Sequence, residues 1–254
     1  MLHENKVKQR LKNGETVIGS FVKTNDPAVV EVMAMAGFDF ILVDNEHTAM
    51  NIENLVNIFR TAEIYNLPAM VRVRTNHPVE ILQALDAGAL GVLSPQINTV
   101  ADAQLLVQSA KFAPEGRRGF AHSSRAAEYG TLSPLDYPAI ANERTLVLCY
   151  CETIEAIQNL DEILQIAEID LIFVGPFDLS QALGVIGDID HPKVQEAYDN
   201  IIRKSRAAGK AVGTIAANPT QARRLIEKGI QYIVLNSDLG LMLTAAKGML
   251  KELR

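Results

Sequence analysis

Eight short apolar runs alternate with amphipathic, helix-like stretches along 254 residues. That alternation predicts an α/β fold, a (β/α)8 TIM barrel formed as one domain over residues 1–254. Three observations carry the prediction. The length suits a closed barrel, which routinely reaches this size as a single domain. Hydrophobic residues make up 48% and charged residues 21%, ordinary globular values that supply a sizeable core. The apolar runs are near-continuous, as strands covered on both faces require. A doubly wound sheet is the other architecture such alternation builds, and the eightfold repeat favours closure.

The runs fall at 17–22, 38–44, 69–73, 91–95, 145–151, 171–176, 211–215 and 232–235. Helical periodicity fills 26–36, 51–65, 78–87, 100–112 and 192–208 between them. Asn76-His77-Pro78 and Asp190-His191-Pro192 put a proline in a first helical turn, where its missing N–H costs nothing. Gly37, Gly88, Gly209 and Gly229 each end a helical stretch before the next run. Residues 113–142 break the repeat, being rich in Gly, Arg, Ser and Pro without a period. An irregular segment that long inside a compact domain is usually functional when ordered, and this one can fold over either barrel mouth. The final stretch, 239–253, carries Leu241, Met242, Leu243, Ala245, Ala246, Met249 and Leu250, and can pack on its own barrel or on a neighbour.

Charge and composition exclude several partners. The formal net charge is −6, and the 24 basic residues are scattered, with Arg117-Arg118 and Arg223-Arg224 as the tightest clusters. Nucleic-acid binding needs a basic face, so it is excluded. No apolar run approaches the roughly 18–20 residues of a membrane span, and the polar stretch 1–13 lacks the apolar region of a signal peptide. Cys149 and Cys151 sit one residue apart, on the same face of a strand, which is poor geometry for a disulfide. A reduced, cytoplasmic protein is expected.

In such a barrel the reactive groups gather at the C-terminal strand ends. The second run ends in Asp44-Asn45-Glu46-His47, the third carries Arg72 and Arg74, the fifth reaches Glu152, and the sixth leads into Gly175-Pro176-Phe177-Asp178. Strand parity puts Tyr150 and Glu152 on one face and the two thiols on the other. If Glu152 points inward, both cysteines face the surrounding helices as small buried hydrophobes. Glu152 and Asp178 then become neighbours at the rim. Two carboxylates leave part of an octahedral shell open, so a hard divalent cation there keeps sites for water and substrate. Spacing alone equally allows both to act as helix N-caps.

Together these residues resemble the metal-dependent (class II) pyruvate aldolases of the 4-hydroxy-2-oxoheptanedioate aldolase/citrate lyase β-subunit family. The resemblance runs from about Gly19 to the C-terminus and rests on Asp44-x-Glu46-His47, Arg72, Glu152-Thr153 and Gly175-Pro176-x-Asp178-Leu179-Ser180. It implies reversible cleavage of a 4-hydroxy-2-oxo acid to pyruvate and an aldehyde. It implies that Glu152 and Asp178 bind a divalent metal (Mg²⁺, Mn²⁺ or Co²⁺), and that Arg72 contacts the pyruvate-derived enolate. His47 matches the acid/base histidine, and Asp86, in Leu85-Asp86-Ala87-Gly88, matches its orienting partner. Backbone amides at Phe177 and Asp178 match the receiver of the substrate carboxylate, and Asp44 and Glu46 match residues beside the histidine. A homohexamer of dimers with the last helix exchanged between subunits is also implied.

Two departures stand out. Tyr150 occupies a position where the family carries Gln, which bears on acceptor size and donor choice. Residues 118–126 have Ala121 where a glycine is usual, and His122 and Arg125 there are candidates for reading the aldehyde or for a surface role. The alternatives are a lyase acting on a coenzyme A thioester and a non-catalytic metabolite-binding barrel. The first lacks an obvious basic patch for the nucleotide's phosphates. The second is opposed by the presence of His47, Arg72, Glu152 and Asp178 together.

Overall fold

A computed structural model describes residues 4–254; residues 1–3, the start of the polar N-terminal stretch, lie outside it. Eight parallel strands close in sequence order into a barrel. They are β1 (Val17–Val22), β2 (Phe40–Asp44), β3 (Ala69–Arg72), β4 (Gly91–Ser94), β5 (Leu146–Cys151), β6 (Leu171–Val174), β7 (Ala211–Ala216) and β8 (Tyr232–Ser237). A short helix, α1 (Lys6–Lys12), precedes the barrel. The outer layer continues with α2 (Pro27–Met35), α3 (Ile52–Ile64), α4 (Pro78–Asp86) and α5 (Val100–Ala110). It is completed by α6 (Tyr137–Arg144), α7 (Ile154–Gln158), α8 (Leu160–Ile163), α9 (Pro176–Ala182), α10 (Pro192–Ala207), α11 (Pro219–Glu227) and α12 (Asp238–Leu253). No helix among the described residues is long and apolar enough to cross a membrane.

Strand parity divides the apolar residues into two cores. Val43, Val71, Val147, Cys149, Cys151 and Val174 point outward into a layer shared with the helices. Leu42, Met70, Leu93, Leu148, Tyr150, Phe173 and Tyr232 fill the barrel interior. Both thiols are free and buried against helices, as the alternation requires. Gly19 is obligatory for space: a Cβ there would lie 2.3 Å from the Phe40 ring.

The segment 113–142 settles at the N-terminal end of the barrel. It includes most of α6, and it packs Ala126 and Ala127 with Phe112, Tyr137 and Ala141 in a small satellite core. Arg125 donates to Ala87 O at 2.9 Å and pairs with Glu63 near the end of α3. Helices run antiparallel to the strands, so the ends of α3 and α4 mark the face opposite the C-terminal strand ends. Helix α1 closes that same face. Asn5 donates to Leu90 O and Arg144 O, both at 2.9 Å, and Lys8 reaches Thr145 O at 2.8 Å and Asp170 at 3.0 Å.

Candidate active site

Asp44 is the hub of the C-terminal mouth. It ends β2 directly opposite Arg72 on β3, and Arg72 donates to its two oxygens at 3.1 and 2.8 Å. The backbone amides of Glu46 and His47 turn back onto Asp44 Oδ1 at 3.2 and 3.1 Å, which folds the loop after β2 across the mouth. Burial alone would raise this carboxyl, yet the Arg72 hydrogen bonds and charge hold it below its usual range. Lys23 adds a second cation, its Nζ 3.3 Å from Asp44. Asp238, the first residue of α12, helps place it by accepting from Lys23 N and Thr24 N at 3.0 and 2.9 Å.

Arg72 is almost fully buried. Its guanidinium lies 4.9 Å from the Phe21 ring centroid, and its Nε is 3.3 Å from Glu46. Arg74 points away and pairs with Glu80 at 3.0 and 3.2 Å. His47 is 61% exposed on the rim, with Nε2 3.6 Å from Glu46 Oε2.

Glu152 and Asp178 do not serve as N-caps. Thr153 caps α7 through its side chain, and Gly175 occupies the N-cap position of α9, with Asp178 inside the first turn. Glu152 instead accepts from Gln96 N at 3.1 Å. Burial pushes its carboxyl up to about 7, with Asp178 and Glu46 adding like-charge repulsion. Glu46 is raised by burial too, against the pull of Arg72. Three carboxylates therefore face one another across the mouth with one guanidinium among them. Among the described residues no three His, Cys, Asp or Glu side chains form a metal cage on their own. An open two-carboxylate site, with hard oxygen donors and unbalanced negative charge, fits a divalent cation that keeps room for substrate.

Tyr150 and Phe177 also border this mouth, the former buried beneath Glu152 and the latter 58% exposed on α9. Asp86 is elsewhere. It ends α4 at the opposite face and accepts from Arg118 at 2.6 Å, so within one chain it does not meet His47. The physical reason is the antiparallel run of the helix, which carries its last residue a barrel length from the strand ends. His122 and Arg125 lie on that far side as well, bonded to Leu132 O and Glu63, so within one chain they do not line the mouth. Sequence reasoning missed Lys23, Phe21 and Asp238, none of which belongs to a motif. It also left Glu46 as a residue merely beside the histidine, although strand-end spacing already placed it there.

The sequence pattern of the HpcH/HpaI aldolase/citrate lyase family matches residues 17–245. The 5-keto-4-deoxy-D-glucarate aldolase of Escherichia coli (strain K12) is 36% identical over 243 residues, 96% of this chain and 94% of that one. The 4-hydroxy-2-oxo-heptane-1,7-dioate aldolase of Shigella sonnei (strain Ss046) is 35% identical over 247 residues, 97% and 94% of the two chains. A crystal structure of an HpcH/HpaI aldolase/citrate lyase family protein from Burkholderia cenocepacia J2315 superposes with a TM-score of 0.93 at 33% identity, covering 98% of this chain and 99% of that one.

Proposed function

The chain belongs to the HpcH/HpaI aldolase/citrate lyase family, and from that premise we propose that it cleaves a 4-hydroxy-2-oxo acid reversibly to pyruvate and an aldehyde. It is a carbon–carbon lyase of the aldehyde-lyase type. The observation that carries the substrate assignment is the meeting of buried Arg72 with Glu46, Glu152 and Asp178 at the C-terminal strand ends.

Glu152 and Asp178 would hold the divalent cation, Mg²⁺, Mn²⁺ or Co²⁺. When bound, it supplies Lewis-acid polarisation of the 2-oxo acid. Arg72 donates to the oxygen that becomes negative as the C–C bond breaks, and its Asp44 clamp means that it need not reorganise. His47 takes the proton from the 4-hydroxyl during cleavage and returns it during condensation. Its exposure on the rim suits a group that must meet the incoming aldehyde. Glu46, 3.6 Å away, stabilises the imidazolium that forms. The first-turn amides at Phe177 and Asp178 receive the substrate carboxylate. For Asp86 to orient a histidine it must do so across a subunit boundary, since its own chain holds it at the far face.

We place the active form in a homohexamer with α12 exchanged between subunits. Support comes from α12 itself, where only Asp238 is buried and Leu239, Met242, Leu243, Met249, Leu250 and Leu253 are 45–82% exposed. Such an apolar stripe needs a cover. We also place the protein in the cytoplasm, where Cys149 and Cys151 stay reduced.

A panel of 4-hydroxy-2-oxo acids, assayed for pyruvate release with each of the three metals and with EDTA, tests the activity. Absence of metal-dependent pyruvate release across the panel would overturn it. Light scattering of the full chain and of a chain truncated after residue 240 tests the assembly, with the hexamer expected only for the first.

A further inference from the structure

The ring of Tyr150 rests where a side chain on residue 175 would otherwise stand. A Cβ built on Gly175 would lie 2.4 Å from Tyr150 Cε1, 3.0 Å from its hydroxyl and 3.1 Å from Cζ. The backbone of Gly175 is in an ordinary extended region, φ −90°, so this glycine is needed for space and not for conformation. Residues 173 and 175 share strand parity, and Tyr150 pairs in register with Phe173. The phenol therefore leans across the barrel and takes over the uppermost interior layer above Phe173.

That ring cannot retreat downward. Phe173 lies 5.1 Å from it, centroid to centroid, and stands edge-on to Tyr232 at 6.2 Å. Tyr232 in turn stacks on Phe40 at 4.0 Å. All four rings are 0–1% exposed and in successive contact, so they form a packed column beneath the phenol. Upward, the phenol lies within the electrostatic reach of Arg72, Glu152 and Asp178. With Glu152 two residues further along and of the same strand parity, it forms a floor below those groups.

We propose that Tyr150, seated on the bare Cα of Gly175, limits the size of the donor subsite, admitting a 2-oxo acid with an unsubstituted C3 methyl and excluding bulkier donors. The inference rests on the aldolase reading. The donor and not the acceptor meets this floor because the donor must lie deepest, against Arg72 and the two carboxylates. An aldehyde arrives from the open side, where His47 and Phe177 are 61% and 58% exposed. One extra methylene against a fixed apolar wall changes selectivity by roughly tenfold or more.

The test compares Tyr150→Leu, which shrinks the side chain, with Tyr150→Phe, which keeps the ring and drops the hydroxyl. Exchange of C3 protons for deuterium is followed by NMR on pyruvate and on 2-oxobutanoate with saturating Mg²⁺. Tyr150→Leu should raise the 2-oxobutanoate-to-pyruvate ratio of kcat/KM roughly tenfold, while Tyr150→Phe leaves it within about threefold. Equal ratios in all three proteins overturn the proposal. A parent that exchanges neither acid refutes the aldolase reading instead. A double-mutant cycle on thermal stability then judges the seating without any turnover. Gly175→Ala should lower Tm markedly in the parent and much less in the Tyr150→Leu background; an equal loss in both overturns the proposal.

Discussion

Asp44 and Arg72 occupy the same register position on β2 and β3, and hydrogen bonds of 3.1 and 2.8 Å lock them into a bidentate pair. The pair is almost fully buried, with side-chain exposures of 0% and 6%. Removing one member leaves an uncompensated charge inside the protein. Asp44→Ala should therefore cost about 3 kcal/mol of stability and free the arginine from the direction in which Asp44 holds it. Urea unfolding and steady-state kinetics on the variant check this. Unchanged stability would show that Glu46 and solvent already satisfy Arg72 without the aspartate.

Chelation should abolish activity and leave the fold intact. Glu152 and Asp178 are the two proposed metal ligands, and the core beneath them is a close-packed apolar barrel. Stability thus resides in side-chain packing, and ligand linkage adds only a small increment for a weakly held ion. The check is EDTA treatment followed by circular dichroism at room temperature. A cooperative loss of signal would show that the cation holds the structure together.

The N-terminal face contains a buried cation with a measurable signature. Lys111 is 2% exposed, donates to Asn142 O and, at 3.0 Å, to Thr145 O, and sits near Lys8. Burial, with the Lys8 charge as a further cause, lowers its ammonium from the usual 10.5 to about 8. Between those values the unfolded chain binds more protons, so this group's contribution to stability rises with pH. Below pH 8 the full cost of burying the charge is present. Lys111→Met should be more stable than the parent by about 1–2 kcal/mol at pH 7, after allowing for the lost hydrogen bonds. Its advantage should shrink as pH rises through 8 toward 10. Urea midpoints at pH 7.0 and 9.5 decide it, and a pH-independent difference would refute the depressed lysine.

The barrel was legible because its signal repeats. Eight apolar runs with a helix after each leave few closed solutions, and strand parity, once Glu152 is taken to point inward, sends Tyr150 inward and Cys149 and Cys151 outward. Glu152 and Asp178 could be placed at a rim by counting to a strand end. Asp86 could not be placed that way. A helix residue's level in the barrel depends on how far the helix has descended, and the motif around it says nothing of that distance. Helix α1 and the pairing of Lys8 with Asp170 were equally silent, since a polar seven-residue helix has no periodicity to read and its partner lies 162 positions away. Lys23 approaches Asp44 because Asp238, from the far end of the chain, anchors the loop after β1. Contacts of that separation leave no local pattern.

His47 and Arg72 can be separated by the chemistry proposed for each. Aldol cleavage needs a base to take the proton of the 4-hydroxyl, so His47→Ala should lose on the order of 10²–10⁴-fold in that rate. Decarboxylation of oxaloacetate reaches the same pyruvate enolate by losing CO₂, and no base is required for that step. His47→Ala should therefore retain most of any decarboxylase activity that the parent shows. Arg72→Ala removes a donor from the enolate oxygen, which both reactions share, and should weaken both by ~10²-fold or more. Its loss also strands Asp44, so folding must be confirmed by circular dichroism before the rates are compared. Asp86→Asn adds a test of the assembly. If a neighbouring subunit brings Asp86 to His47, the variant follows the histidine pattern in milder form; if Asp86 serves only Arg118, both reactions stay at parental rates while stability falls. Steady-state kinetics of the three variants on both substrates at saturating metal supplies all six comparisons. Equal loss of both activities in His47→Ala would mean that the histidine holds substrate or metal, and the proton transfer would then have to be assigned to another group, with Glu46 the nearest carboxylate.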